Sequence, residues 1–229
     1  MKKPFIAILA VVLTLAGAVF SIAVPATGPA DALDAGFVSQ PLKLDVQHPY
    51  NLKLEERYSY DKATDTHDLW VLGTDKPHAP PPNKTTSRTE IRFEDTYKPD
   101  SGLHMMDCDM FITPGTHATI SQIFGTSAMC MLVVKANGNI IDLFTDEIIA
   151  REMNGKWFHW TIIHDPAATG PGGIKVYVDG KLASDKITCR LQKSYYFKIG
   201  VYSRDDSIRS EIKIRHLRYL VKPPAATSN

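Results

Sequence analysis

Cysteine is scarce in this chain, with only Cys108, Cys130 and Cys189 among 229 residues. Their spacing does not match that of a zinc site, and no metal or other cofactor is expected. An odd set leaves any disulfide framework incomplete. In an exported chain one pair would be bridged and one thiol left over, with three pairings open. Excess charge of one sign is also missing, since the formal net charge is +1. Without a global basic field, nucleic acid is not an expected partner, and affinity for polyanions has to come from a local cluster. Helical periodicity is weak; Asp142 to Glu152 is the best candidate for a short helix, and a strand there fits equally well. No internal repeat is visible.

Apolar character concentrates first at the N-terminus. Met1-Lys2-Lys3 precedes an uncharged run from Phe5 to Val24, the layout of a secretory signal. A cut after Ala23 or after Ala32 fits the small residues there. A retained anchor is the competing reading, because the run is long enough to span a bilayer, but no basic stop signal follows it. Cleavage after residue 23 leaves 24 basic and 25 acidic side chains, a near-neutral extracellular protein with no membrane attachment. Residues 24–40 read as a flexible lead-in, 41–222 as one domain and 223–229 as a frayed tail. Within the domain, Asp75 to Thr86 contains Pro77, Pro80, Pro81 and Pro82 and is a loop, because proline cannot sustain a strand ladder.

Short alternating strands fill the rest. Thr89, Ile91 and Phe93 alternate with Arg88, Glu90 and Arg92; Trp157 to Ile163 is rich in strand formers; Ile174 to Val178 runs into Asp179-Gly180, a hairpin signal. Ile212, Ile214 and Leu217 to Val221 form a last strand. Many short strands separated by turns predict an all-β jelly-roll sandwich.

One strand has two chemically different faces. From Tyr195 to Tyr202, Phe197, Ile199 and Val201 point to one side and form a core face. Tyr196, Lys198 and Tyr202 point to the other, with Gly200 between them leaving room for another molecule. Two phenols and an ammonium suit a polar, anionic ligand.

Arg88-Thr89-Glu90-Ile91-Arg92, Gln122-Ile123-Phe124 and Tyr196-Phe197-Lys198-Ile199-Gly200-Val201-Tyr202 resemble, in order and rough spacing, the signature strands of polysaccharide lyase family 7, the alginate lyases, and the related glucuronan lyases. Trp157 to Gly180 is similar to the strand pair of concanavalin-like jelly rolls. The resemblance implies a jelly roll with a concave-sheet groove that holds an acidic polysaccharide, a uronic-acid polymer, and cleaves it by β-elimination; a monomer is expected. The chemistry accounts for the residue types. A proton next to a carboxylate is poorly acidic until that carboxylate is neutralised; a base then removes it and an acid protonates the departing glycosidic oxygen.

By this resemblance Arg88 and Gln122 neutralise the carboxylate and Tyr202 is the acid, with a role as the base also open to it. Glu90, Arg92, Phe124, Tyr196 and Lys198 line the substrate groove. The chain departs from the family at Phe124, where alginate lyases usually carry a histidine. Three consequences follow: Tyr202 serves as both base and acid, a histidine arrives from elsewhere, His67 and His78 being the candidates, or the groove only binds. The second class of function is therefore a non-catalytic jelly roll that binds acidic polysaccharide. A glycoside hydrolase is disfavoured, because no pair of acidic residues on one strand face suits acid and base roles.

Overall fold

The computed structural model describes residues 33–204 and 208–224. The expected signal sequence, most of the lead-in and residues 225–229 of the tail lie outside them. The strands, in chain order, are β1 (Val38–Gln40), β2 (Leu44–Gln47), β3 (Tyr58–Asp61), β4 (Thr66–Leu72), β5 (Arg88–Phe93), β6 (Leu103–Ile112), β7 (Ala118–Phe124) and β8 (Ala128–Val134). They continue with β9 (Ile140–Asp142), β10 (Ile148–Ala150), β11 (Trp157–His164), β12 (Ile174–Val178), β13 (Lys181–Ser184), β14 (Tyr196–Ser203) and β15 (Arg209–Lys222).

Two antiparallel sheets result. One is eight-stranded, in the order β13-β12-β11-β6-β15-β4-β3 with β1 on β15; the other is seven-stranded, in the order β10-β9-β8-β7-β14-β5-β2. Neighbours far apart in sequence, such as β14 and β5, are the signature of a jelly-roll sandwich. Period-two alternation builds the core between the sheets. Ile91 and Phe93 of β5, Phe197, Ile199 and Val201 of β14, and Met106, Cys108, Met110 and Ile112 of β6 all join one buried cluster. Burying a side chain such as Phe197 contributes about 1.5–3 kcal/mol. Trp160 of β11 is fully buried, and its indole N–H donates to Ser121 Oγ across the sandwich at 3.1 Å, so no polar atom of the ring is stranded.

The hairpin expected at Asp179-Gly180 joins β12 to β13, with φ of 49° and 73°, the pair of positive values that a tight two-residue turn requires. Other expectations need correction. Of the two readings of Asp142 to Glu152 the helix fails and the strand holds: the Asp142 carboxylate accepts from Thr145 Oγ1 at 2.8 Å and from the Phe144 N–H at 3.4 Å, holding a turn that returns the chain as β10. The lead-in ends earlier than residue 40, because Val38–Gln40 pairs with Tyr219 to Val221 and Asp34 accepts from Arg218 Nη1 at 2.8 Å. At the other end, Pro223 and Pro224 pass so close to Gly102 that a Cβ there would meet the Pro223 carbonyl carbon and the Pro224 nitrogen at 2.9 Å. The three cysteines are all buried free thiols, with no bridge between any pair.

Candidate active site

The outer face of the seven-stranded sheet gathers every residue of the three motifs except those in the core. Cross-strand register does this. Arg88 of β5 lies opposite Tyr202 of β14, Glu90 opposite Gly200, and Arg92 opposite Lys198. On the other side of β14, Lys198 faces Gln122 of β7, and Tyr196 faces Phe124. A flat outer face would leave these side chains in water. Instead Arg88, Glu90, Gln122 and Lys198 are buried, so they form a polar floor set back from solvent.

Glu90 is the centre of that floor. With 1% of its surface exposed, it accepts from Arg88 Nη1 at 3.3 Å and from Lys198 Nζ at 3.3 Å on one oxygen, and from Gln122 Nε2 on the other. Glu90 thus holds three groups from three strands; expected to line the groove, it is instead buried, and it acts on the neighbouring groups by positioning them. Lys198 also donates to Gln47 Oε1 on β2 at 2.7 Å. Burial lowers the Lys198 ammonium from its ordinary value, and the neighbouring Glu90 opposes the shift. Gln47 belongs to no motif and reaches Lys198 only because β2 pairs with β5.

Aromatic rings lie against the arginines. The Arg88 guanidinium carbon sits 4.0 Å from the centre of the Tyr202 ring, and that of Arg92 4.5 Å from Tyr196. Such stacking orients the guanidinium without using its donors. Both Nε atoms, of Arg88 and of Arg92, are buried without a hydrogen-bond partner. A buried donor left unmade is costly, and an acceptor that reached it would relieve that cost. Phe124 and Tyr196 pack at 5.7 Å between ring centres, with Lys198 Nζ 5.9 Å from the Phe124 ring. Burial pushes the Tyr196 phenol above its ordinary value, against the pull of Arg92.

The two candidate histidines separate. His67 lies on β4 in the other sheet, with Nδ1 2.8 Å from Tyr58 Oη and the Tyr60 ring 4.6 Å away; it is not part of the site. His78, in the proline-rich loop, is brought into the field of Arg88, Lys198, Glu90 and Asp45. Burial first, and the two cations next, lower its imidazole below the ordinary value.

Gly200 also departs from expectation. A Cβ there would lie 2.4 Å from the Thr89 carbonyl oxygen and 2.6 Å from Glu90 Cα, and its φ is +151°. The space is filled by the neighbouring strand, so Gly200 serves the approach of β5 to β14 and leaves no room for a ligand. A cavity of about 570 Å³ near Tyr97, Ser101 and His104 lies elsewhere and contains no motif residue. Chemistry, not size, marks the site on the seven-stranded sheet.

Solved structures resemble this architecture. An alginate lyase of polysaccharide lyase family 7, AlgAT5, superposes with a TM-score of 0.59 at 19% identity, covering 78% of this chain and 94% of its own. The fold is that of the family 7 alginate lyases. Alginate lyase A1-II' of the same family gives a TM-score of 0.56 at 17% identity, over 79% of this chain and 95% of its own. The AlyA1 alginate lyase of Zobellia galactanivorans gives 0.56 at 11%, over 73% and 81%. A sialidase also matches, with a TM-score of 0.53 at 12% identity over 77% of this chain but 16% of its own, so the fold alone does not dictate an activity. No family model and no curated protein matches the sequence.

Proposed function

We propose that this chain is a secreted, monomeric polysaccharide lyase that cleaves a uronic-acid polymer of the alginate or glucuronan type by β-elimination. The observation that carries this reading is the pair of buried, unpartnered Nε donors of Arg88, which lies against the Tyr202 ring, and of Arg92, which lies against the Tyr196 ring. A recessed floor with vacant cationic donors suits a carboxylate, and the adjacent phenol supplies a proton. The likeness to alginate lyases supports the same reading.

In the proposed reaction the substrate carboxylate engages Arg88, Arg92 and the second N–H of the Gln122 amide, whose first N–H is committed to Glu90. Spreading the carboxylate's charge over these donors stabilises the carbanion that forms when the adjacent proton leaves. His78 takes that proton as a neutral imidazole. The electron pair of the C–H bond becomes the new carbon–carbon double bond as the bond to the glycosidic oxygen breaks. Tyr202 protonates that oxygen and is reprotonated from water. The reaction moves only protons and one leaving group.

Incubation with alginate, polymannuronate and glucuronan, followed by ultraviolet absorbance of the unsaturated product, tests the proposal. Absorbance should rise with at least one polymer and fall by roughly a hundredfold or more in rate for Tyr202→Phe, the scale of general-acid catalysis. No rise with any of them rejects the lyase. The second reading, a binding protein without turnover, is favoured by Phe124, which puts an aromatic ring where the family has a histidine and pairs it with Tyr196. Binding without product would select it.

A further inference from the structure

A second feature lies beyond the end of the sheet where Phe124 and Tyr196 sit. The turn after β7 and the segment before β14 flank an open surface cavity of about 530 Å³ lined by the exposed Thr126, Ser127, Arg190, Leu191 and Lys193 and the half-buried Gln192. Thr126 is two residues from Phe124 and Lys193 three from Tyr196, so these walls start within roughly 10 Å of chain from the groove.

The walls are built. The Gln192 side chain clamps the turn, accepting from the Ser127 N–H at 3.0 Å and donating to the Ser127 carbonyl at 3.2 Å. The Gln192 N–H donates to the fully buried Tyr195 hydroxyl at 2.7 Å, and Arg190 Nη2 donates to the Ala128 carbonyl at 3.2 Å. Gly125 is required at the join, since a Cβ there would lie 2.3 Å from the Ser194 carbonyl oxygen and 2.6 Å from Gln192 Oε1.

The lining contains two cations and no carboxylate, and among the described residues neither Arg190 nor Lys193 has an acidic partner. Two hydroxyls and an amide stand beside them. Leu191, 59% exposed, offers an apolar patch to the carbon-bound hydrogens of a sugar ring. Unpaired positive charge, hydroxyl partners and an exposed apolar side chain together suit an acidic sugar better than a peptide or a neutral lipid.

We infer that this cavity is a remote subsite for the same polymer, in which Arg190 and Lys193 hold the carboxylate of a uronate residue away from the bond that is cleaved. The inference rests on the reading of the main groove as a uronate site, and it adds a length preference: longer oligomers reach the subsite and short ones do not.

The test measures binding of oligomannuronate, oligoguluronate and oligoglucuronate, as trimers and hexamers, to a Tyr202→Phe protein, which consumes them roughly a hundredfold or more slowly than the parent. Titration calorimetry should show the hexamer of the preferred sugar bound more tightly than its trimer. Arg190→Ala with Lys193→Ala should weaken the hexamer roughly three- to twentyfold, from two exposed charge pairs, and move the trimer little. Added salt should narrow the gap between parent and variant. Lys193→Ala alone, which breaks no hydrogen bond or ion pair among the described residues, should give part of the effect and guards against misfolding of the double variant. Equal hexamer affinity in parent and variant, or an equal fall for trimer and hexamer, overturns the subsite. Turnover by wild type with unchanged hexamer affinity rejects the subsite alone. The length effect without turnover rejects the lyase alone, and wild type that binds neither oligomer rejects both.

Discussion

Replacing Glu90 by glutamine is the most informative single change to the floor of the site. Glutamine keeps the shape but removes the charge that faces Arg88 and Lys198. The side chains of these three residues are 1%, 10% and 5% exposed, so solvent screens little of the interaction. Removing one partner of a buried ion pair costs about 3–5 kcal/mol, because the other charge is left without compensation. At 2–4 °C per kcal/mol for a domain of this size, the melting temperature should fall by roughly 6–20 °C. Differential scanning calorimetry at low and high salt measures it, and salt should change the difference little. Lys198→Met added to Glu90→Gln should cost less than the sum of the single changes, since it removes one stranded charge. A fall below about 2 °C, or strict additivity in the double variant, would refute the view of Glu90 as a buried hub and imply that the cations are already solvated.

Three further outcomes follow from other contacts. Gly200→Ala should destabilise by at least about 2 kcal/mol, seen as a lower denaturant midpoint, because the new Cβ collides with β5 backbone and the φ is strained. His78 as base must be neutral, and its pKa is lowered below 6.5, so kcat/KM should lose its acid limb only below that pH; Lys198→Met, by removing a nearby positive charge, should move the limb upward, and His78→Gln should abolish it with a rate loss of roughly a hundredfold. His159 of β11, between Asp107 at 2.8 Å and Asp109 at 3.0 Å, is raised to about 9, chiefly by its bond to Asp107. Its contribution to stability is therefore fully present below pH 6.5 and is lost as pH rises through about 9; His159→Gln should lower the melting temperature more at pH 6 than at pH 10.

Much of the site was legible locally. Period-two alternation in β5 and β14 sorts Arg88, Glu90 and Arg92 from Thr89, Ile91 and Phe93, and Tyr196, Lys198 and Tyr202 from Phe197, Ile199 and Val201; the apolar members of the second sets join the core, while the burial of Arg88, Glu90 and Lys198 was not foreseen. Gln47 was not legible, because it meets Lys198 only through the pairing of β2 with β5, and no spacing along the chain encodes that. The choice between His67 and His78 was equally invisible, since both precede the arginine strand and only the sheet to which β4 belongs removes His67.

The sequence by itself determined the strand-rich architecture, the turn at Asp179-Gly180 and the polar composition of one face, because backbone alternation and turn conformation depend on neighbouring residues. Tertiary structure decided that Glu90 binds three strands together, that the gap at Gly200 is filled by β5, and that Arg88 and Arg92 keep unpaired donors. Those properties arise from the register between strands distant in sequence, where hydrogen bonding and close packing, rather than residue type, settle which groups meet and which stay free.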